Sequence, residues 1–314
     1  MIRRHLPTFA TSKFHLFLKC KKLARNLQRT ILPESENEML NVLKTALAAS
    51  TAKIGVVTNN IANVGTTAFK RSDALFQDIY LTGGNANGPT PGSGSKIQIN
   101  RVTHHPAELK RTGVTSDLGI NGWGMFMLGK PDPSKPGAMD GEVTYTRNGS
   151  FQLDSDGFLT SNDGNYVLSK DSEPIQIDFS KNGIPLSEFN VSSDGFVMTA
   201  YGMASAEPGK QLGLAAWDNP AALAQMGNGR FKAAQLQPSP NVTDGEFFDK
   251  NAGYLRIHTP GEAYTGKVMS SHLEVANVDL TKELVSLIHA QQSFSAASKA
   301  IQTDSDMISR FTKQ

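Results

Sequence analysis

The sequence predicts an α+β protein: paired N- and C-terminal heptad helices forming an α-domain, with a central, mostly antiparallel β-domain between them. Three observations carry this reading. Apolar residues recur at heptad spacing over 40–64 and again over 280–308. Between them, short alternating segments are punctuated by glycine, proline and Asp-Gly turn signals, and most of the 28 glycines fall in this middle stretch. With 314 residues the chain is long enough for two or three cores.

The chain opens on a basic segment. Residues 1–33 carry Arg3, Arg4, Lys13, Lys19, Lys21, Lys22, Arg25 and Arg29 and no acid, and also the single cysteine, Cys20. The rest of the chain holds 23 basic and 29 acidic residues, so the overall charge of +2 hides a basic tail on an acidic body. An acidic body gives no reason to expect nucleic-acid binding. One cysteine excludes a structural disulfide and a cysteine-based metal site. The run Phe14–Leu18 is too short for a signal-peptide core, and residues 1–38 read as a dispensable extension upstream of a start at Met39. No stretch approaches 18 apolar residues, so no membrane insertion is expected.

The first helix is expected from Met39 to Val64. Leu40, Leu43, Leu47, Ser50, Ile54, Val57, Ile61 and Val64 form its seam, apolar everywhere except Ser50. Asn63 and Gly65 supply the stop. In the middle of the chain, Lys96–Val102 alternates polar and apolar residues as a strand. Phe151–Leu159 and Phe189–Val197 match position for position around an Asp-Gly turn, which predicts two equivalent hairpins. Breaks at Gly83–Gly94, Lys130–Gly141 and Gln237–Gly245 read as loops or joints. The last helix, over 279–314, begins at a cap supplied by Asp279 or Asn277, with Glu283 in its first turns. Leu280, Leu284, Leu287, Phe294, Ile301 and Ile308 form its seam, interrupted by Gln291, Ser298 and Ser305. Polar residues make such a seam a poor isolated coiled coil. Many copies side by side would bury it better, which is a physical argument for assembly.

Candidate chemistry is sparse. Asp154-Ser155-Asp156-Gly157 resembles the start of a calcium loop, but the closing Glu position is Asn165, so a hairpin turn is the reading. His104 and His105 read as a solvated strand end, since neighbours on a strand point to opposite faces. Gly92-Ser93-Gly94 lacks the lysine of a phosphate loop, Lys110 and Arg111 read as a surface pair, and there is no Gly-x-Ser-x-Gly elbow. No catalytic residue, cofactor site or metal site is assigned, and the chain is expected not to be an enzyme.

Four ordered motifs resemble those of bacterial flagellar rod and hook proteins. The first is Asn59-Asn60-Ile61-Ala62-Asn63-Val64-Gly65-Thr66-Thr67-Ala68-Phe69-Lys70-Arg71-Ser72, with Ala68 where that family usually has Gly. Leu118–Phe126 and Tyr145–Phe151 are similar to its β-domain motifs. Leu273–Val285, with Asn277 and Asp279, resembles its C-terminal motif. The resemblance covers Met39 to the end and implies a structural, self-assembling subunit of a hollow axial tube used for motility. It implies terminal helices that line the tube and β-domains that face outward. It also implies export through the flagellum's own channel without a cleaved signal, and location in the basal body or hook. The expected partners are further copies of the chain, neighbouring rod, hook or junction proteins, and the export apparatus. On this resemblance the chain divides into an extension (1–38), an N-terminal axial helix with its following turn (39–80), β-rich domains (81–270) and a C-terminal axial helix (271–314). Val278–Leu284 looks hook-like, whereas the 276 residues from Met39 suit a distal rod protein; the reading leans to a hook-like subunit, with distal rod as the alternative. The contrasting class is a secreted β-rich adhesin or a cell-wall enzyme with axial helices.

Overall fold

Helix α1 (Met39–Ala62) forms where the apolar period predicts it. It ends two residues earlier than expected, and asparagine side chains reinforce the last backbone bond, in which the Asn63 backbone amide donates to the Asn59 carbonyl at 3.1 Å. The Asn63 side-chain amide donates to the Asn59 carbonyl and to Asn59 Oδ1, both at 2.9 Å, and Thr66 Oγ1 donates to Asn63 Oδ1 at 3.1 Å. These local side-chain bonds fix the turn where the helix stops. The computed structural model describes residues 39–80, 92–132, 137–233, 236–238, 247–249, 253–262 and 264–312. The basic extension, the Gly83–Gly94 break up to residue 91, and most of the Gln237–Gly245 break lie outside the described residues. One expectation needs correcting. By length and a mean hydropathy of 1.2, α1 is apolar enough to cross a membrane, although its apolar residues are not consecutive.

The β-structure is antiparallel throughout its described pairings. The largest sheet has eleven strands among the described residues and is built around the paired strands Met125–Pro131 and Met139–Thr146, which take in both ends of the Lys130–Gly141 break; residues 133–136 of that break lie outside the described residues. A four-stranded sheet contains Ile184–Val191 and Phe196–Tyr201. The expected strand at Lys96–Val102 lies within the strand Gly92–Val102.

The two Asp-Gly hairpins are equivalent, as the repeat predicts. Leu153 pairs with Leu159 and Val191 with Val197 at the loop ends. The Gly157 amide donates to Asp154 and the Gly195 amide to Ser192, both at 2.9 Å. Both glycines sit at positive φ, 79° and 81°, the left-handed conformation that such turns require. Phe151, Leu159, Val191 and Val197 all enter one buried cluster with Leu118, Phe126 and Leu214, and Leu153 and Phe189 pack against it. The repeat therefore supplies matched walls of a single core.

Helix α2 (Leu280–Thr312) closes the described chain. Asp279 is its N-cap: Asp279 Oδ1 accepts from the Thr281 amide at 3.0 Å and the Lys282 amide at 3.2 Å. Asn277, the other candidate, is used elsewhere.

The chain divides into two units. The first takes in the chain up to Gly55, Ala74–Ile99 and Leu287–Gln314; within it Thr45 Oγ1 accepts from the Ser95 amide at 3.3 Å, tying the strand Gly92–Val102 to α1. The second comprises Val56–Asp73 and Asn100–Ser286 and contains the β-core and the site described next.

Candidate functional site: a buried ionic joint

The segment after α1 and the segment before α2 are stitched to each other and to the β-core inside the second unit. Backbone bonds lay the frame. The Ala68 amide donates to the Glu274 carbonyl at 2.8 Å, Asn277 to Phe69 at 3.2 Å, and Val275 to Glu108 at 3.0 Å. His272–Glu274 pairs as a strand with Leu109–Arg111.

On that frame sits a fully enclosed charge cluster. The Glu274 side chain has no exposure. Lys70 Nζ lies 2.6 Å from its Oε1 and Arg147 Nη1 lies 3.3 Å from its Oε2. The Ala107 amide adds a third bond to Oε1 at 2.8 Å. Lys70 also donates to the His105 carbonyl at 2.9 Å, and Arg147 to the carbonyls of Ile120 at 3.3 Å and Gly122 at 2.6 Å. Buried charges persist only when paired and hydrogen-bonded in this way. Burial lowers the pKa of Lys70 and Glu274 opposes that; burial lowers the pKa of Arg147 too. One carboxylate between two cations leaves the cluster dependent on Glu274.

A second set holds the helix ends. Asn60, 1% exposed, exchanges two bonds with the Ser72 backbone at 2.9 and 3.0 Å and donates to Glu283 Oε2 at 3.3 Å. That last bond joins the end of α1 to the start of α2. Arg71 bonds Glu283 and Asp73; burial works against its charge, and these two carboxylates outweigh burial and raise its pKa. Asn277 accepts from the Arg71 amide at 2.6 Å and donates to the Thr103 carbonyl at 2.7 Å. Asn59, Asn60, Asn63, Phe69, Lys70, Asn277 and Asp279 thus occupy caps and stitches around the joint.

The seam residues behave differently. On α1, Val57 is buried and Leu40, Leu43, Leu47, Ile54 and Ile61 are half-buried; Val64, just beyond its end, is exposed. On α2, Leu287, Ile301 and Ile308 are half-buried, while Leu280, Leu284 and Phe294 are exposed. The fully buried residues of α2 are Glu283, Ala290 and Asp304. The face that α2 closes within its own chain is thus displaced from the apolar seam. Val285, Ile288 and Met307 add to the uncovered apolar surface.

The sequence marks Glu283 only as an acidic residue in the first turns of the last helix, and it gives Glu274, Arg71 and Arg147 no role. The available signal was a lone charge inside an apolar strand motif, as in Leu273-Glu274-Val275 and Tyr145-Thr146-Arg147. His104 corrects an expectation. It is 6% exposed rather than solvated, packs edge-on against Phe231 with ring centres 4.8 Å apart, and its ring nitrogens have no partner among the described residues. His105 is exposed and sits against Trp123.

Two tests follow from this geometry. Burial, with Lys70 and Arg147 nearby, pulls the His104 pKa from 6.5 down to about 4. The folded state therefore binds this proton more weakly than the unfolded state. Stability from a neutral His104 is complete above pH 6.5, is lost as pH falls towards 4, and amounts to about 3 kcal/mol. Urea midpoints between pH 7.5 and 4 check this, and His104→Phe should flatten that part of the profile. Ala68 is buried at a positive φ of 55°. Ala68→Gly should leave stability unchanged or raise it by up to about 1 kcal/mol, because relief of left-handed strain exceeds the added chain entropy. Ala68→Val should cost more than about 2 kcal/mol. Thermal melts of the two variants would measure both.

Residues 269–314, which include the Glu274 and Asn277 stitches and α2, match the family model described as flagellar basal body rod FlgEFG protein C-terminal. Residues 119–200, with both Asp-Gly hairpins, match the flagellar hook protein FlgE/F/G D1 domain. Full-length relatives agree. The flagellar basal-body rod protein FlgG of Buchnera aphidicola subsp. Schizaphis graminum is 30% identical over 285 residues, covering 87% of this chain and 97% of the relative. The chain belongs to the flagellar hook and basal-body rod family. FlgG of Bacillus subtilis is also 30% identical, over 82% of this chain and 90% of its own length. The flagellar hook protein FlgE of Caulobacter vibrioides is 32% identical over 131 residues, 42% of this chain but 22% of the relative. This protein is accordingly a structural axial subunit of the flagellar hook–basal body and not an enzyme. In this axial subunit the joint links the ends of both helices to the β-core.

Proposed function

We propose that this axial subunit is of the distal-rod type and polymerises with copies of itself through the terminal helices. The observation that carries the assembly mode is the row of exposed apolar side chains on α2, Leu280, Leu284, Val285, Ile288 and Phe294, beside a joint that is already satisfied within the chain. Apolar surface of that extent on one helix is stabilised when a neighbour covers it. The rod assignment over the hook rests on relatives: rod proteins align over nearly their whole length, whereas the hook protein aligns over about a fifth. We place the pairing of α1 with α2 along a shared seam in the polymer, with rod and hook proteins as neighbours above and below. Export through the flagellar apparatus without a cleaved signal, and sufficiency of translation from Met39, belong to the same reading.

Basal bodies purified from a deletion strain test the assignment by electron microscopy. A distal-rod subunit leaves truncated rods and no hook. A complete rod lacking only the hook would assign the protein to the hook instead. Complementation from Met39 should restore swimming.

A further inference from the structure

Within the second unit, a half-open cavity of about 610 Å³ lies beside the joint. Its walls carry Trp123, Trp217, Tyr264, Arg256 and Asp218, and its rim includes Gly122, Gly124 and Gly266. We propose that this cavity binds a neutral glycan, one or two pyranose rings of an oligosaccharide.

The chemistry of the walls selects that class. A pyranose ring has apolar C–H faces and a rim of hydroxyls. It therefore needs flat apolar surfaces flanked by donors and acceptors. Trp123 is 50% exposed and Tyr264 62% exposed, so both present aromatic surface to solvent beside the cavity, with Arg256 over one face of the Tyr264 ring. Aromatic side chains expose such area at low entropic cost. The rim glycines carry no side chain, which lets a ring approach the backbone closely. Donors and acceptors are supplied by the Arg256–Asp218 pair, 2.7 Å apart. Trp217, which also lines the cavity, has a buried indole nitrogen that donates to no acceptor among the described residues. The volume falls in the ordinary range of small-molecule sites.

Charge excludes the competing ligands. Arg147 is 2% exposed and spent on Glu274 and the Ile120 and Gly122 carbonyls, and Arg256 is paired with Asp218 while lying 5.1 Å over the Tyr264 ring. Both lining arginines are thus already engaged, which disfavours a phosphate. Arg256 already lies over one face of Tyr264, and its positive charge would repel a quaternary ammonium there but not an uncharged sugar. Asp218 is the only carboxylate among the described lining residues, and glycoside hydrolysis needs a pair. The cavity binds a glycan without cleaving it.

The chain contains two tryptophans, and both line this cavity, so intrinsic tryptophan fluorescence reports on it directly. The purified full chain is titrated with cellotetraose, with chitotetraose and, separately, with choline. The expected result is a saturable emission change with at least one oligosaccharide below about 10 mM and none with choline. Tyr264→Ala, at an exposed site, should leave the circular dichroism spectrum unchanged and weaken binding at least tenfold. Trp123→Ala, followed by calorimetry, should do the same. No saturation with either sugar, a response to choline alone, or unchanged affinity in both variants would overturn the proposal.

Discussion

Glu274→Ala is expected to destabilise the subunit by about 3–5 kcal/mol. Its carboxylate accepts from Lys70, Arg147 and the Ala107 amide, and all three charged side chains are at most 2% exposed. Removing it leaves two cations buried close together with only carbonyls as partners. A domain whose whole stability is about 5–15 kcal/mol loses a large share of it, and α1 and α2 lose their common anchor. Neutralising one cation should recover part of the loss: Glu274→Ala with Lys70→Met should be more stable than the two single effects added together predict. Urea unfolding of the four proteins completes the cycle. A loss below about 1 kcal/mol for Glu274→Ala would show that the cluster is not holding the joint.

Leu284→Asp is expected to abolish polymerisation while leaving the subunit folded. Leu284 is 44% exposed in the single chain, so the new carboxylate is solvated and the subunit loses little. If a neighbour covers this position, the same carboxylate becomes an unpaired buried charge, costing several kcal/mol at every copy in a repeating contact. Ile61→Asp, at a half-buried position on α1, should block assembly too but with a measurable loss in the monomer. Sedimentation and negative-stain microscopy report polymer; circular dichroism reports the β-core. Tubes from Leu284→Asp at wild-type yield would show that this part of α2 is not a contact surface.

Much of the architecture was legible because its signals are local. The period of α1, the Asn-rich stop and the Asp279 cap depend on residues a few positions apart. The Asp-Gly hairpins declared themselves by repeating, and their equivalence held down to the amide bonds of Gly157 and Gly195. The joint was not legible, because its pairs are remote in sequence. Asn60 meets Glu283 across 223 positions, and Lys70 meets Glu274 across 204. Apolar periodicity cannot select a row that buries Glu283 and Asp304, which is why the inward face of α2 differs from its seam. His104 was misread for the same reason: Phe231, which encloses it, lies on a distant strand.

Hydrogen exchange on free subunits and on assembled tubes compares the two levels directly. The account predicts that amides at 68–73, 103–108 and 273–277 are protected equally in both states, since the joint closes within each chain. It predicts that amides along 284–308 exchange readily in the free subunit and become protected in the tube, because α2 keeps its apolar side chains for neighbours. Protection of α2 that is already complete in the free subunit, or a joint protected only after assembly, would contradict it.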